Sequence, residues 1–213
     1  MRTILRELFE TVVLARLIYL TLHLSIQNFQ VLGPSMKPTL EDGEYVLVNK
    51  LVYARLKPWD LVGLLPFVNV DELEGIYPFH SPRHGDVVIF RFCNGSGTHI
   101  GQLPGCPYDL PNKPARDFVK RVVAVHPDTV EIVKGQLFVN GDLVHEPYIT
   151  HESSRSMQKR LVPLDYYFVL GDNRQESNDS RAWGPVPAEN VIGQAWGSFW
   201  PLDRWQLLSI FNS

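Results

Sequence analysis

Proline and glycine recur throughout this chain, sixteen of one and fifteen of the other, spread along it instead of clustered. Such spacing cuts the backbone into short runs, because proline withholds an amide donor and glycine weakens helix interiors. It suits many short strands joined by turns better than a body of long helices. The stretch Ile4 to Ile26 is the exception: ILRELFETVVLARLIYLTLHLSI contains neither residue. As a helix it is long enough to cross a hydrocarbon layer of about 30 Å. Arg16, at its middle, costs about 2.5 to 3.5 kcal/mol on insertion scales, and Glu10 and His23 add to the difficulty. Arg6 and Glu10 stand one helical turn apart and are placed to pair, while snorkelling lets Arg16 reach toward one face. The expectation is a spanning helix, with residues 1–27 as tip and anchor and residues 28–213 as a β-rich body. The alternative is an amphipathic helix lying on a membrane or on the body. No small-x-small pattern follows the apolar run, which disfavours a removable leader. Arg2 and Arg6 precede the span, so the positive-inside rule keeps the N-terminus cytoplasmic and exports the body.

A chain of 213 residues that is 45% hydrophobic buries a substantial core, consistent with one compact body plus an appended segment. Its formal charge of -3 supplies no basic field of the kind that draws proteins to nucleic acid, so no nucleic-acid partner is expected. Strands are predicted at Tyr45 to Val48, Asp86 to Arg91, Phe118 to Val125 and Tyr166 to Leu170, where β-favouring residues are bounded by turn formers. In Thr129 to Val144, Lys134-Gly135 and Asn140-Gly141 are two-residue hairpin signals between alternating strands. The fold class is therefore mainly β, an antiparallel meander, with irregular Pro-rich insertions near 57–83 and 93–116. Cys93 and Cys106 are too few for a zinc site of their own, and no metal is expected. A bridge between them and two free thiols stand as equal alternatives.

Gly33-Pro34-Ser35-Met36-Lys37-Pro38-Thr39-Leu40 follows the apolar helix directly. A rigid turn presents a serine hydroxyl together with its own backbone N–H, the combination that a nucleophile with a built-in oxyanion donor requires. Serine needs a base, and histidine is the usual one. His84, His99, His126, His145 and His151 all lie in or beside turns, and none has a carboxylate pattern that singles it out. Lys120 has better local support, because alternation puts it on one face with Phe118 and Val122. An amine on an apolar face is costly while charged, and moving its pKa from about 10.4 to near 7.5 amounts to roughly 4 kcal/mol of desolvation. The plain alternative is a solvated lysine beside Arg121 on an edge strand. A third segment, Gly171 to Gly184 (GDNRQESNDSRAWG), is dense in hydrogen-bonding groups. Asp179 and Arg181 are spaced to tie it to itself or to a strand, and Ser177 is able to orient an amine.

Four segments together resemble the boxes of type I signal peptidases of the bacterial kind, in the same order and spacing: Gly33 to Leu40, Arg83 to Phe90 (RHGDVVIF), Phe118 to Val130, and Gly171 to Gly184. The resemblance implies a membrane-bound serine endopeptidase that removes signal peptides from exported preproteins, cutting after small residues. Ser35 is then the nucleophile, Lys120 the general base, Ser177 the hydroxyl that positions the lysine, and Asp179 with Arg181 a structural pair. Val31, Leu32, Met36, Leu40, Phe118 and Val119 are expected to wall the substrate pocket. No cofactor is implied; the partners are preprotein signal peptides and a lipid bilayer. The resemblance places a monomer in the plasma (inner) membrane as a single-pass protein with its catalytic body outside the cytoplasm.

Two departures stand out. Many members carry a hydroxyl two places before the nucleophile as a second oxyanion donor, and here that position is Gly33. The usual Gly-x-Pro-Gly-Asp is Ala124-Val125-His126-Pro127-Asp128, which predicts a different turn path. A lysine in place of the histidine of reticulum-type relatives points to the bacterial or organellar branch. Two rival readings are a self-cleaving repressor of the SOS type, which would carry a DNA-binding domain in place of the apolar helix, and a catalytically dead, membrane-tethered relative.

Overall fold

The computed structural model describes residues 2–53, 79–92, 116–150 and 153–208. Most of the two expected insertions, with Cys93 and Cys106, lies outside the described residues. Helix α1 (Arg2–Ser25) passes directly into strand β1 (Ile26–Gln30), one residue short of the sequence expectation for its end.

Two antiparallel sheets make up the body. The larger is assembled from β1, β2 (Tyr45–Asn49), β3 (Val87–Phe92), β4 (Arg116–Val125), β9 (Tyr166–Leu170), β10 (Val186–Pro187) and β11 (Val191–Trp200), in the order β1-β2-β11-β3-β4-β9-β10, with β12 (Gln206–Leu207) added to β11. The smaller runs β7-β6-β5-β8 and comprises β5 (Thr129–Val133), β6 (Gln136–Val139), β7 (Asp142–Leu143) and β8 (Met157–Leu161). A short helix α2 (Ser180–Trp183) follows β9. The mainly β, antiparallel expectation therefore holds among the described residues.

Both hairpin signals fall where the sequence puts them. Lys134 and Gly135 take φ values of 49° and 88° between β5 and β6, and Asn140 and Gly141 take 57° and 94° between β6 and β7. Positive φ at both central residues matches the strand twist, which is why these dipeptides mark the turns. Among the strands absent from the sequence reading is β11, which lies at the centre of the larger sheet between β2 and β3. Its Gly193 and Gly197 read as breaks in a strand pattern, yet they permit close packing. A Cβ on Gly193 would lie 2.5 Å from the Asn49 carbonyl oxygen, and one on Gly197 would lie 2.3 Å from that of Gln206. β1 and β8 were also unforeseen, because IQNFQ and MQKRL carry mostly polar, exposed side chains.

Three apolar clusters hold the sheets. Val88, Phe90, Val122, Val169 and Trp183 form one; Met36, Leu40, Val46, Val48, Val87 and Ile89 form the second, beneath the turn that carries Ser35; Val130, Ile132, Leu137, Phe168 and Leu170 join the smaller sheet to the larger. Each fully buried side chain of this kind contributes about 1.5 to 3 kcal/mol.

α1 packs on none of these clusters. Its apolar side chains, among them Ile4, Leu8, Phe9, Val12, Leu17 and Ile18, are exposed, which removes the alternative of a helix lying on the body. Arg6 Nε does pair with Glu10 Oε1 at 2.7 Å. Among the described residues no helix is long and apolar enough to cross a membrane. α1 has the length, and Arg16, Glu10 and His23 lower its hydropathy.

Gly135 has both a left-handed φ and no room, since a Cβ there would meet the Ser153 carbonyl oxygen at 1.8 Å. Gly135→Ala is expected to destabilise the protein by about 2 to 4 kcal/mol, combining backbone strain with displacement of the 153–155 segment. Gly141→Ala, with open space around it, should cost only about 1 kcal/mol. Denaturant unfolding of the two variants checks the difference.

Candidate active site

Ser35 sits in the tight bend between β1 and β2. The Lys37 amide donates to the Pro34 carbonyl at 3.1 Å, and Leu40 N donates to Met36 O at 2.9 Å. Met36 and Leu40 are fully enclosed and fasten the bend to the core. The loop after β9 clamps it from the other side. Asn173 N donates to Ser35 O at 3.1 Å, and Asn173 Nδ2 donates to Pro34 O at 3.3 Å.

Lys120 lies mid-way along β4, opposite Val88 of β3. β4 has β3 on one side and β9 on the other, so Lys120 is not on an edge strand. Only 2% of the residue is exposed. Its Nζ lies 2.7 Å from Ser35 Oγ and donates to Val119 O at 2.8 Å. Desolvation by burial lowers the amine pKa from 10.5 to about 8, against the smaller raising influence of Asp179 and Asp172. The residues that the sequence reading paired are thus in hydrogen-bond contact across 85 positions of chain.

The next residue, Arg121, grips the surroundings. Its Nε and Nη2 donate to the two carboxylate oxygens of Asp172 at 2.9 and 2.7 Å, and Nη1 donates to Gly85 O at 2.8 Å. The guanidinium stacks 4.0 Å from the centre of the Tyr148 ring. Thr39 Oγ1 in turn donates to Asp172. One buried bidentate pair therefore links the serine bend, the start of β3, β4 and the loop after β9. Arg174, paired with Glu146, extends the network.

Asp179 and Arg181 do form a pair, with two contacts of 2.8 Å, and Asp179 also accepts from the Gly171 and Arg181 amides. Ser177 stands apart from these bonds. Its Oγ is buried without a hydrogen-bond partner, so it makes no bond to Lys120. The amine directs its bonds at Ser35 and Val119 instead. Ser177 is nonetheless adjacent, because a Cβ on Gly171 would lie 2.2 Å from Ser177 Oγ and 2.5 Å from Ser35 O.

The residues expected to wall the substrate pocket divide by burial. Val31, Met36 and Leu40 are buried at 3%, 0% and 0% exposure and belong to the core behind the bend, since apolar side chains of a tight turn fold inward beneath it. Leu32 is 79% exposed, and Phe118 and Val119 are half-buried, so these three remain at the surface. His84 pairs with Asp128 at 2.7 Å and His126 bonds Val162 O; His99 and His151 lie outside the described residues. At 124–128 the His126-Pro127 bond is cis, and Asp128 accepts from Val125 N and Asn140 Nδ2 and bonds His84 Nε2.

Sequence reasoning missed Thr39, Arg121, Asp172 and Asn173 as site residues. Arg121 carried a signal, because alternation sends it to the face opposite Lys120. The roles of Thr39, Asp172 and Asn173 depend on contacts between segments more than 130 residues apart, for which one sequence has no sign.

A family model described as signal peptidase, peptidase S26, matches residues 5–200. The chain belongs to this family. It is 33% identical to the probable signal peptidase I-1 of Synechocystis sp. over 84% of this chain and 73% of that protein. Thylakoidal processing peptidase 1 of Arabidopsis thaliana is 33% identical over 80% of this chain and 41% of that protein. Signal peptidase I of Pseudomonas aeruginosa is 30% identical over 88% and 70%. A solved signal peptidase I from Enterococcus faecalis, 24% identical, aligns with a TM-score of 0.39 over 54% of this chain and 97% of that one. The activity class is that of a signal peptidase, a serine hydrolase acting on the signal peptides of preproteins.

The depressed lysine pKa is also a statement about stability. An amine that titrates at about 8 when folded and at 10.5 when free weakens the fold fully below pH 8, and the penalty disappears as pH rises to 10.5. Lys120→Met should therefore stabilise the protein by about 3 kcal/mol at pH 7, with the gain shrinking toward zero by pH 10.5. Denaturant unfolding of both proteins at pH 7 and pH 10 checks sign and trend.

Proposed function

We propose that Ser35 and Lys120 are the catalytic pair of a signal peptidase that cleaves preproteins by acyl transfer. The observation that carries the reading is the 2.7 Å contact between Lys120 Nζ and Ser35 Oγ in a setting that holds the amine pKa near 8. With that pKa, about a tenth of the amine is neutral at pH 7.

The Ser35 oxygen attacks the scissile carbonyl carbon while its proton passes to Lys120 Nζ, forming a tetrahedral oxyanion. The ammonium returns that proton to the departing amine as the C–N bond breaks, leaving an ester on Ser35. Water then attacks the ester, giving its proton to Lys120, and the proton goes back to Ser35 as the acid product leaves. The Ser35 amide is the assigned oxyanion donor. The Gly33 amide is committed to Asp42 Oδ1 at 2.6 Å and is not a second one. Ser177 enters as the hydroxyl that turns toward the amine's remaining N–H once Ser35 and Val119 hold the other two directions. Its unpartnered buried Oγ favours that role, because an unsatisfied hydroxyl costs about 1 to 3 kcal/mol.

Cleavage of a test preprotein by the full chain in detergent checks the reading. Ser35→Ala should reduce kcat by at least about 10⁴-fold. The wild-type rate should rise with pH through an apparent pKa of about 8, because the lysine acts only when neutral. A flat rate from pH 6 to 9, or turnover by the alanine variant, would sink it.

We further infer that α1 seats the protein in a bilayer in a single pass, with the body on the far side from Arg2 and Arg6. The length of the helix and its exposed apolar side chains support this. Leu32, Trp200, Leu202 and Trp205 are also exposed, and such residues favour a membrane interface. In intact cells expressing the chain, the protein should resist extraction by alkaline carbonate, and added protease should reach the body only after the outer barrier is opened. Release by carbonate would leave α1 lying on the surface instead.

A further inference from the structure

A cavity of about 320 Å³ shares Ser177 with the reaction above and is otherwise lined by residues that the reaction does not use. The smaller sheet bounds it through Ile132, Met157 and Arg160, and the loop into α2 bounds it through Ser177, Asp179 and Arg181. Ser177 connects it to the reacting groups, since its Oγ and the Ser35 carbonyl both crowd Gly171. Asp179 and Arg181 neutralise each other. Arg155 and Arg160, which also line the cavity, are exposed and have no carboxylate in ion-pair range among the described residues. The nearby Glu131 belongs to the face of β5 opposite Ile132. The cavity is therefore net positive.

The topology gives it a direction. β1, which continues from α1, is one edge of the larger sheet, whereas the smaller sheet is joined through the β4–β5 turn near the other edge. For a substrate whose apolar part remains in the bilayer, this arrangement favours entry from the β1 side and exit of the chain beyond its scissile bond toward the smaller sheet. An apolar segment has no use for two guanidinium groups that no described carboxylate pairs. A polar segment carrying carboxylates does, because the guanidinium fork matches a carboxylate bidentately.

We propose that this cavity receives the polypeptide following the scissile bond, and that Arg155 and Arg160 make it favour acidic residues there. The proposal rests on the peptidase reading for its substrate, but the charge preference is measurable without catalysis. Fluorescence anisotropy with the intact chain in detergent would compare two labelled peptides that stand for the segment after a cut, one carrying two aspartates and the other two asparagines. The aspartate peptide should bind about fivefold tighter at low salt. The preference should fall toward unity in Arg155→Gln/Arg160→Gln and at 0.5 M salt, and Arg160→Glu should turn it toward a lysine peptide. Equal affinity for both peptides, or a preference unchanged in the double variant, overturns the proposal.

Cleavage of matched preproteins separates this from the peptidase reading. Aspartates after the cut should raise kcat/KM relative to asparagines by a factor that the double variant loses, and aspartates before the cut should not. Because the ratio is read within each enzyme, a merely damaged fold lowers both rates and leaves it unchanged, which counts against the proposal. Absence of any turnover by the wild type overturns the peptidase reading, while the anisotropy result still decides the cavity.

Discussion

An amine without water is the constraint around which this body is organised. Lys120 is held mid-strand with 2% of its surface exposed, where a charged amine is disfavoured by desolvation. Two acids stand close enough to oppose that effect, Asp179 and Asp172. Each is matched with its own arginine, Arg181 for the first and Arg121 for the second. Burial outweighs both carboxylates, so the pKa falls instead of rising. The same pairs have a mechanical role. Asp179 takes the Gly171 amide and Asp172 takes Thr39, so the groups that set the amine's charge also locate the bend bearing Ser35.

The hydroxyl is positioned by contacts from distant parts of the chain. Met36 and Leu40 are driven inward beneath the bend, and Asn173 holds its carbonyls from the outside. Gly171 is required where these parts meet, because Ser177 Oγ and Ser35 O approach closer than any side chain would allow. Such a site is rigid by construction. Breaking either buried ion pair would leave a carboxylate without compensation next to the lysine, at a cost of about 3 to 5 kcal/mol.

Much of the architecture was legible because it follows from local rules. Lys134-Gly135 and Asn140-Gly141 specify their hairpins through φ alone, and Tyr166 to Leu170 specifies its strand through β-favouring residues bounded by turns. β11 was not legible, since Gly193 and Gly197 serve contacts with Asn49 and Gln206 that no local pattern records. Burial among the residues expected to wall the pocket was not legible for a related reason: proximity to the nucleophile in sequence did not say that Met36 and Leu40 are fully enclosed while Leu32 is exposed.

Residue order was enough to mark the serine bend, the lysine on an apolar strand face, the Asp179–Arg181 pair and the apolar helix ahead of them, because each depends on neighbours within a few positions. Packing of the sheets settled that Lys120 is interior, that it meets Ser35 at 2.7 Å, that Arg121 and Asp172 brace them, and that Ser177 is left without a partner. The division has one physical cause. Backbone propensity and side-chain alternation act over a few residues, whereas desolvation and ion pairing depend on what the folded chain brings to within a few ångströms.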